Sequence, residues 1–429
     1  MTATAPVDLS PGATIAAIGA LLAVLLLGLD TWRRRRRGRA GVPGTGLQSL
    51  TLLTLFLTFD LVVFGAYTRL SDSGLGCPDW PGCYASASPL GAHPEIQIAE
   101  AALPSGPVTR SKAWIEMVHR YLATAVGALI TAIMVAAWWA RWRARHSAAP
   151  GARSPGADPA RSTAPAPVSA AWATLCFFWV CVQGAFGALT VTMKLYPAIV
   201  TLHLMGGVGL LALLAVQARR GMVAPHAVIA PATTAESAGH EALAKPGVGP
   251  RRAGLENTLD WTPGQRLVLI GLLLMLLAQI ALGGWVSTNY AVLACSDFPT
   301  CHGKWWPEAD FVAGYTVLRD LGRHADGSLL ASNALTAIHL GHRLGALALV
   351  IAAALVAWRL HGARVTPWQR RGWLGVLALL AAQVATGVSN VVLGWPLLAA
   401  LLHTGGAAAL LALLAALLTR APARVSRRA

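Results

Sequence analysis

Apolar runs of about 20 residues recur nine times along the chain, at roughly 13–31, 47–67, 113–140, 169–191, 198–218, 265–287, 333–358, 371–393 and 397–419. At a rise of about 1.5 Å per residue, each run as a helix covers the hydrocarbon core of a bilayer. Lipid offers the backbone no hydrogen bonds, so only helices or closed barrels cross it, and runs of this length are helical. The sequence therefore predicts an all-α polytopic membrane protein. Composition agrees: 55% of the residues are hydrophobic and 12% charged, about half the charged share of a soluble domain. The first run opens on MTATAPVDLSPG. It lacks the basic segment of a secretory signal and is expected to be a retained helix.

A net charge of +16 raises the question of nucleic acid, and the placement of the charge argues against it. Most Lys and Arg fall in RRRRRGR (33–39), RWRARH (141–146), ARR (218–220), the Arg pairs 251–252 and 370–371, and the tail RAPARVSRRA. If nine helices alternate, all of these stand on one side. The positive-inside rule then places the C-terminus in the cytoplasm and the N-terminus outside. The charge reads as a topology signal. The expected partner is membrane lipid, in the cell's inner membrane, with no nucleic acid.

Three blocks recur in order. FGAYTRLSDSGLGCPDWPGC (64–83) matches LGGWVSTNYAVLACSDFPTC (282–301) at an offset of 218, pairing Gly65 with Gly283, Cys77 with Cys295, Asp79 with Asp297 and Cys83 with Cys301. EMVHRYLATAVGAL (116–129) matches HLGHRLGALALV (339–350), pairing His119 with His342 and Arg120 with Arg343. QGAFGALTVTMKLYPAIVTLHLMGG (183–207) matches QVATGVSNVVLGWPLLAALLHTGG (383–406) at an offset of 200, pairing Gln183, Gly187 and His203 with Gln383, Gly387 and His403. Each unit holds four helices. An even number makes both enter from one side, a parallel repeat about an axis along the membrane normal. The expected architecture is two pseudo-symmetric four-helix bundles, 47–220 and 265–429 (the second with the basic tail). They are joined by a linker at 221–264 and preceded by an extra transmembrane helix and basic arm at 1–46. The stretches 147–168 and 221–262, rich in Ala, Pro, Gly and Ser, read as low-complexity connections.

Four of the twelve histidines lie inside apolar helices at repeat-matched places: His119, His203, His342 and His403. His203 follows Pro197 by six residues, or about 9 Å along a helix, and His403 stands similarly after Pro396. Each unit thus brings two imidazoles to one level in a bundle, the arrangement that grips a haem iron. Zinc takes more ligands, and the helices supply no matched third one. Arg120 and Arg343 each follow a His. They are expected either to pair with haem propionates or to snorkel to the interface. Cys77 with Cys83, and Cys295 with Cys301, sit in short loops on the external side, where disulfides persist. A structural and a redox role both fit them. Two further assignments share these features: a dihaem b-type electron carrier linked to quinol, and a thiol oxidoreductase.

The ordered set TRLSDSGLGCPDWPGC, EMVHR, a helix with His203, HLGHR and LLHTGG resembles the haem A synthase family over about 47–419. The resemblance implies an oxidoreductase that converts a methyl group of haem O into a formyl group, giving haem A for cytochrome oxidase. It implies a haem b cofactor held by His342 and His403, and substrate haem held by His119 and His203. It also implies Glu116 as the catalytic carboxylate and Cys77 with Cys83 as the external pair. Haem O synthase and oxidase assembly factors follow as expected partners. Glu116 is one helical step before His119 and shares its face; His339 takes its place in the other unit. A carboxylate there can stabilise positive charge developing at a methyl carbon or take up its proton; pairing with Arg is the rival role.

Overall fold

The computed structural model describes residues 10–36, 45–146, 168–223, 261–324, 326–363 and 365–419. Nearly all of both low-complexity connections and the basic tail lie outside these residues. The described chain is helical, with no strand beyond isolated bridges. Its elements are α1 (Ser10–Arg36), α2 (Thr45–Leu70), the short α3 (His93–Ala102), α4 (Arg110–His146), α5 (Ala170–Thr192) and α6 (Pro197–Val223). Then come α7 (Pro263–Thr288), the single-turn α8 (Phe311–Gly314), α9 (Ser332–His361), α10 (Pro367–Val392) and α11 (Leu397–Leu418). Among the described residues eight helices are long and apolar enough to cross a membrane: α2, α4 to α7, and α9 to α11. This is a multi-pass membrane protein. The ninth apolar run falls within α1, which packs along α4 and touches α2.

Local sequence explains where these helices begin. Thr262 and Thr366 close capping boxes with Gln265 and Gln369, each with Pro at the first helical position. A Ser/Thr cap with Gln three residues on satisfies two orphan amides at once, and Pro there loses no hydrogen bond. Within α2 the hydroxyls of Thr51, Thr54, Thr58 and Thr68 donate to carbonyls four residues back, at 2.7–3.0 Å. Polar side chains thereby satisfy themselves inside an apolar helix.

Helix adjacency forms two rings. α2 packs on α4 and α6, and α5 on the same two; α7 packs on α9 and α11, and α10 on the same two. Between the rings α6 meets α11 and α7, and α11 meets α2. The ends of α2 and α7 also meet. Arg69 donates to the Ser287 carbonyl at 2.7 Å and lies 3.9 Å over the Tyr290 ring, and the Tyr290 hydroxyl donates to Asp72 at 2.8 Å. Thr201 and Thr288 share a buried hydrogen bond of 3.1 Å nearby.

The loops leaving α2 and α7 are built alike. Disulfides join Cys77 to Cys83 and Cys295 to Cys301, with Cα atoms 4.8 and 4.9 Å apart. Both loops carry a cis proline, Pro81 and Pro299. Asp79 accepts the amides of Tyr84 and Ala85 at 2.7 Å; Asp297 accepts those of His302 and Gly303 at 2.7 and 3.0 Å. These receiving turns have positive φ at matched positions, Tyr84 and Ala85 in one loop and His302 and Gly303 in the other. An Asp side chain capping such a turn supplies the acceptor that the left-handed backbone lacks.

Candidate functional site

The four intramembrane histidines are carried by α4 (His119), α6 (His203), α9 (His342) and α11 (His403). Each ring lies against a glycine of the neighbouring helix. A Cβ added to Gly65 of α2 would stand 3.0 Å from His119 Cε1, and one on Gly187 of α5 would stand 3.4 Å from His203 Cε1. The same holds for Gly283 of α7 at 3.0 Å from His342 Cε1, and for Gly387 of α10 at 3.2 Å from His403 Cε1. A glycine lets the imidazole approach the neighbouring backbone closely, with least room to spare at Gly65 and Gly283. All eight spanning helices thus contribute to one of the four contacts, and the glycines are repeat partners as well as the histidines.

His342 and His403 face each other with ring centroids 6.4 Å apart and planes at 82°. Two metal–nitrogen bonds of about 2 Å each plus two half-rings add up to roughly this separation, so one iron fits between them. His119 and His203 lie within electrostatic reach of each other, and Phe64 stacks on His119 at 6.2 Å. Among the described residues no three His, Cys, Asp or Glu side chains gather to hold a bare metal ion. The donor set is paired imidazoles, which suits an iron whose other ligands come from a macrocycle.

The Nδ1 atoms differ between the two pairs. Gln279 Nε2 stands 2.9 Å from His342 Nδ1, and Thr386 Oγ1 stands 3.0 Å from His403 Nδ1. In the other pair the Nδ1 atoms of His119 and His203 are enclosed and have no hydrogen-bond partner. The Gln183 carbonyl faces His203 but falls outside hydrogen-bond geometry. Gln279 and Thr386 were not legible as site residues, because the repeat carries Leu61 and Phe186 in their places.

Glu116 is 4% exposed and fully engaged. Its Oε2 accepts the Cys77 amide at 2.8 Å, and its Oε1 accepts Arg120 in an ion pair one turn along α4. His339, its counterpart on α9, instead bonds the Ala291 carbonyl through Nδ1 at 3.1 Å. Arg120 and Arg343, expected to meet haem propionates or to snorkel, are held by loop carbonyls. Arg120 donates to the carbonyls of Asp79, Pro81 and Gly82 at 3.0, 3.1 and 2.5 Å. Arg343 donates to Thr300, Cys295 and Asp297 at 2.8, 3.2 and 2.8 Å. A short disulfide loop turns several carbonyls inward with no strand to receive them, and a planar five-donor guanidinium collects them. The residue after each His therefore ties the disulfide loop to the helix that carries the His. The remaining cysteines are free, Cys176 buried and Cys181 exposed.

Comparison with known proteins agrees with this geometry. Residues 48–415 match the COX15-CtaA family, described as cytochrome oxidase assembly protein. The chain is similar to a heme A synthase of Shewanella oneidensis, 33% identical over 362 residues, which is 84% of this chain and 92% of that protein. It is also similar to heme A synthases of Rhizorhabdus wittichii, 25% identical over 86% of this chain and 92% of the relative, and of Symbiobacterium thermophilum, 25% identical over 84% and 90%.

Proposed function

The chain belongs to the COX15-CtaA family of cytochrome oxidase assembly proteins, and on that premise we propose that it is a haem A synthase, an oxidoreductase that converts a methyl group of haem O into the formyl group of haem A. The observation that carries this is the set of four glycine-seated histidines in two pairs. We assign the pair His342 and His403 to a haem b cofactor and the pair His119 and His203 to the substrate haem. The bound haem b supplies one-electron redox chemistry beside the substrate; the remaining tasks fall to the protein.

The two helix rings are read as pseudo-symmetric four-helix bundles, 47–220 and 265–429, with α1 outside them. Two contacts support this. Arg69 touches Ser287 and Asp72 touches Tyr290, and both pairs are repeat equivalents. Residues that touch their own equivalents lie close to the axis relating the repeats. The axis then runs between α6 and α11. By the positive-inside rule we read the basic clusters as cytoplasmic, with the C-terminus, and the disulfide loops as external, in a protein of the cell's inner membrane. The haem sites then lie in the outer half of the bilayer. Haem O synthase and other oxidase assembly factors remain the expected protein partners.

Glu116 is assigned to the reaction and its geometry favours one of two roles. Proton uptake requires the carboxylate to give up Arg120 or the Cys77 amide. Electrostatic stabilisation does not, because it leaves both donors in place. Preorganised charge aimed at a developing cation is the larger effect in most enzymes. Glu116 therefore acts as a fixed negative charge one helical step from His119, and His339 leaves the cofactor unit without one. Arg120 and Arg343 position the disulfide loops over their units.

The test is extraction and chromatography of the haems from the protein purified from cells that supply haem O. A haem A synthase yields haem b together with haem O or haem A. An electron carrier yields haem b alone, and that result would overturn the proposal.

A further inference from the structure

The two histidine pairs are seated alike on glycine and differ in what holds their second nitrogen. We propose that Gln279 and Thr386 are positioning residues that lock the haem of the C-terminal unit in place, and that Leu61 and Phe186 at the matching places leave the haem of the N-terminal unit exchangeable. The inference rests on the assignment of the two pairs to cofactor and substrate, and explains how one duplicated scaffold makes one site permanent and the other a passage.

A histidine that ligates a metal through one ring nitrogen is fixed by a hydrogen bond at the other, which sets the tautomer, aims the ring and raises ligand basicity. At His403 the arrangement is complete. The Thr386 hydroxyl donates to the Ala382 carbonyl at 2.8 Å, so its lone pair faces His403 Nδ1 and accepts a proton there, leaving Nε2 free. At His342 the partner is the Gln279 carboxamide, which also donates to the His342 carbonyl at 3.0 Å. Its Oε1 has no partner of its own. A half-turn of the carboxamide exchanges the bond to the His342 carbonyl for one from Nδ1–H to Oε1, which has no partner otherwise, and Gln279 then accepts the Nδ1 proton as Thr386 does.

No side chain equivalent to Gln279 or Thr386 stands in the N-terminal unit. Gln279 stands four residues before Gly283, and the residue four before Gly65 is Leu61. Thr386 immediately precedes Gly387, and the residue before Gly187 is Phe186. Neither side chain has a polar atom to offer. His119 and His203 keep the packing contact and lose the polar side-chain anchor; His203 keeps only the Gln183 carbonyl facing its ring, which His403 matches with Gln383 in addition to Thr386. Removing such an outer partner typically weakens metal binding by about 10–100-fold. A site that must admit haem O and release haem A needs this weaker hold; a site for a resident cofactor does not.

The experiment is haem transfer from the purified full-length protein to excess apomyoglobin, followed by absorbance, with no turnover required. The wild type should release haem in a slow and a fast phase. Gln279→Leu combined with Thr386→Val should speed the slow phase by about 10–100-fold and move the midpoint potential of that haem upward, because the ligand becomes less basic. Thr386→Ser keeps the hydroxyl and should release haem nearly as slowly as wild type. Leu61→Gln with Phe186→Thr should slow the fast phase. An unchanged slow phase in a natively folded double variant overturns the proposal. If the double variant does not fold, equal rates for Thr386→Val and Thr386→Ser overturn it instead. His342→Ala separates the underlying assignment: if the slow phase survives there, the resident haem is not on His342, and the cofactor assignment fails with the proposal built on it.

Discussion

Glu116 and Arg120 stand one turn apart on α4 and form an ion pair, with the Cys77 amide on the remaining carboxylate oxygen. The pair couples the helix that carries His119 to the disulfide loop. Glu116→Gln keeps an oxygen for the Cys77 amide and removes the charge. It should fold, bind haem, and make haem A about 10²–10³ times more slowly, with haem O accumulating in cells that depend on it. Haem A formed at the normal rate, measured by chromatography, would reduce Glu116 to a loop anchor.

Arg343 gathers three loop carbonyls without a carboxylate partner of its own beside it on α9. Arg343→Ala should free the loop 295–304 and make its disulfide more accessible to reductant. Hydrogen bonds to a charged group contribute about 1.5–3 kcal/mol, so local opening should rise by at least tenfold in hydrogen exchange of that segment. No change in exchange would mean the contacts are incidental. Arg120→Ala should do the same to 77–86.

Gly387 leaves little room for a side chain. An added Cβ would lie 3.2 Å from His403 Cε1, so Gly387→Ala must push the ring or the helix, at the roughly 1–3 kcal/mol of overpacking. Haem occupancy should fall and the haem spectrum should shift. Gly271 on α7 has open space around it. Gly271→Ala should leave the spectrum intact and stabilise the helix by about 0.5–1 kcal/mol. Equal behaviour of the two variants would refute the ring-on-glycine contact.

Hydrogen bonds from Thr300, Gly303 and His302 hold the Asp297 carboxyl down at about 2, against an ordinary value of 3.8. The folded form thus prefers the ionised group. Its contribution to the turn is fully present above about pH 4 and disappears as pH falls through 2. Amide exchange at His302 and Gly303, corrected for intrinsic rates, should accelerate across that window. Asp297→Asn should remove the pH dependence; a window elsewhere would assign the turn to another group.

In protein isolated without reductant, mass spectrometry should find Cys77–Cys83 and Cys295–Cys301 both oxidised. Cys176 and Cys181 both lie within the membrane-spanning α5, so a water-soluble maleimide should label either one only after unfolding. Free thiols in either loop would contradict the structure.

Much of this was legible from residue order. Apolar run length marks the eight helices that, among the described residues, are long and apolar enough to span, and a ninth run within α1; the offsets of 218, 223 and 200 pair the glycines, histidines and cysteines. The loop contacts of Arg120 and Arg343 were not legible, because a charge beside a His in a helix suggests an anion. Their loop carbonyls are backbone groups, and a sequence does not display where these point. Gln279 and Thr386 were missed for the opposite reason. A repeat draws attention to what the halves share, and these two residues matter because the halves differ there.

The ring-on-glycine contacts also limit how such a site can change over time. Glycine is the smallest residue, so substitutions at positions 65, 187, 283 and 387 can only add bulk and narrow the gap. None can widen it. A descendant that accommodates a larger macrocycle must therefore tilt its helices or alter the walls beyond the imidazoles, while these four positions stay as they are.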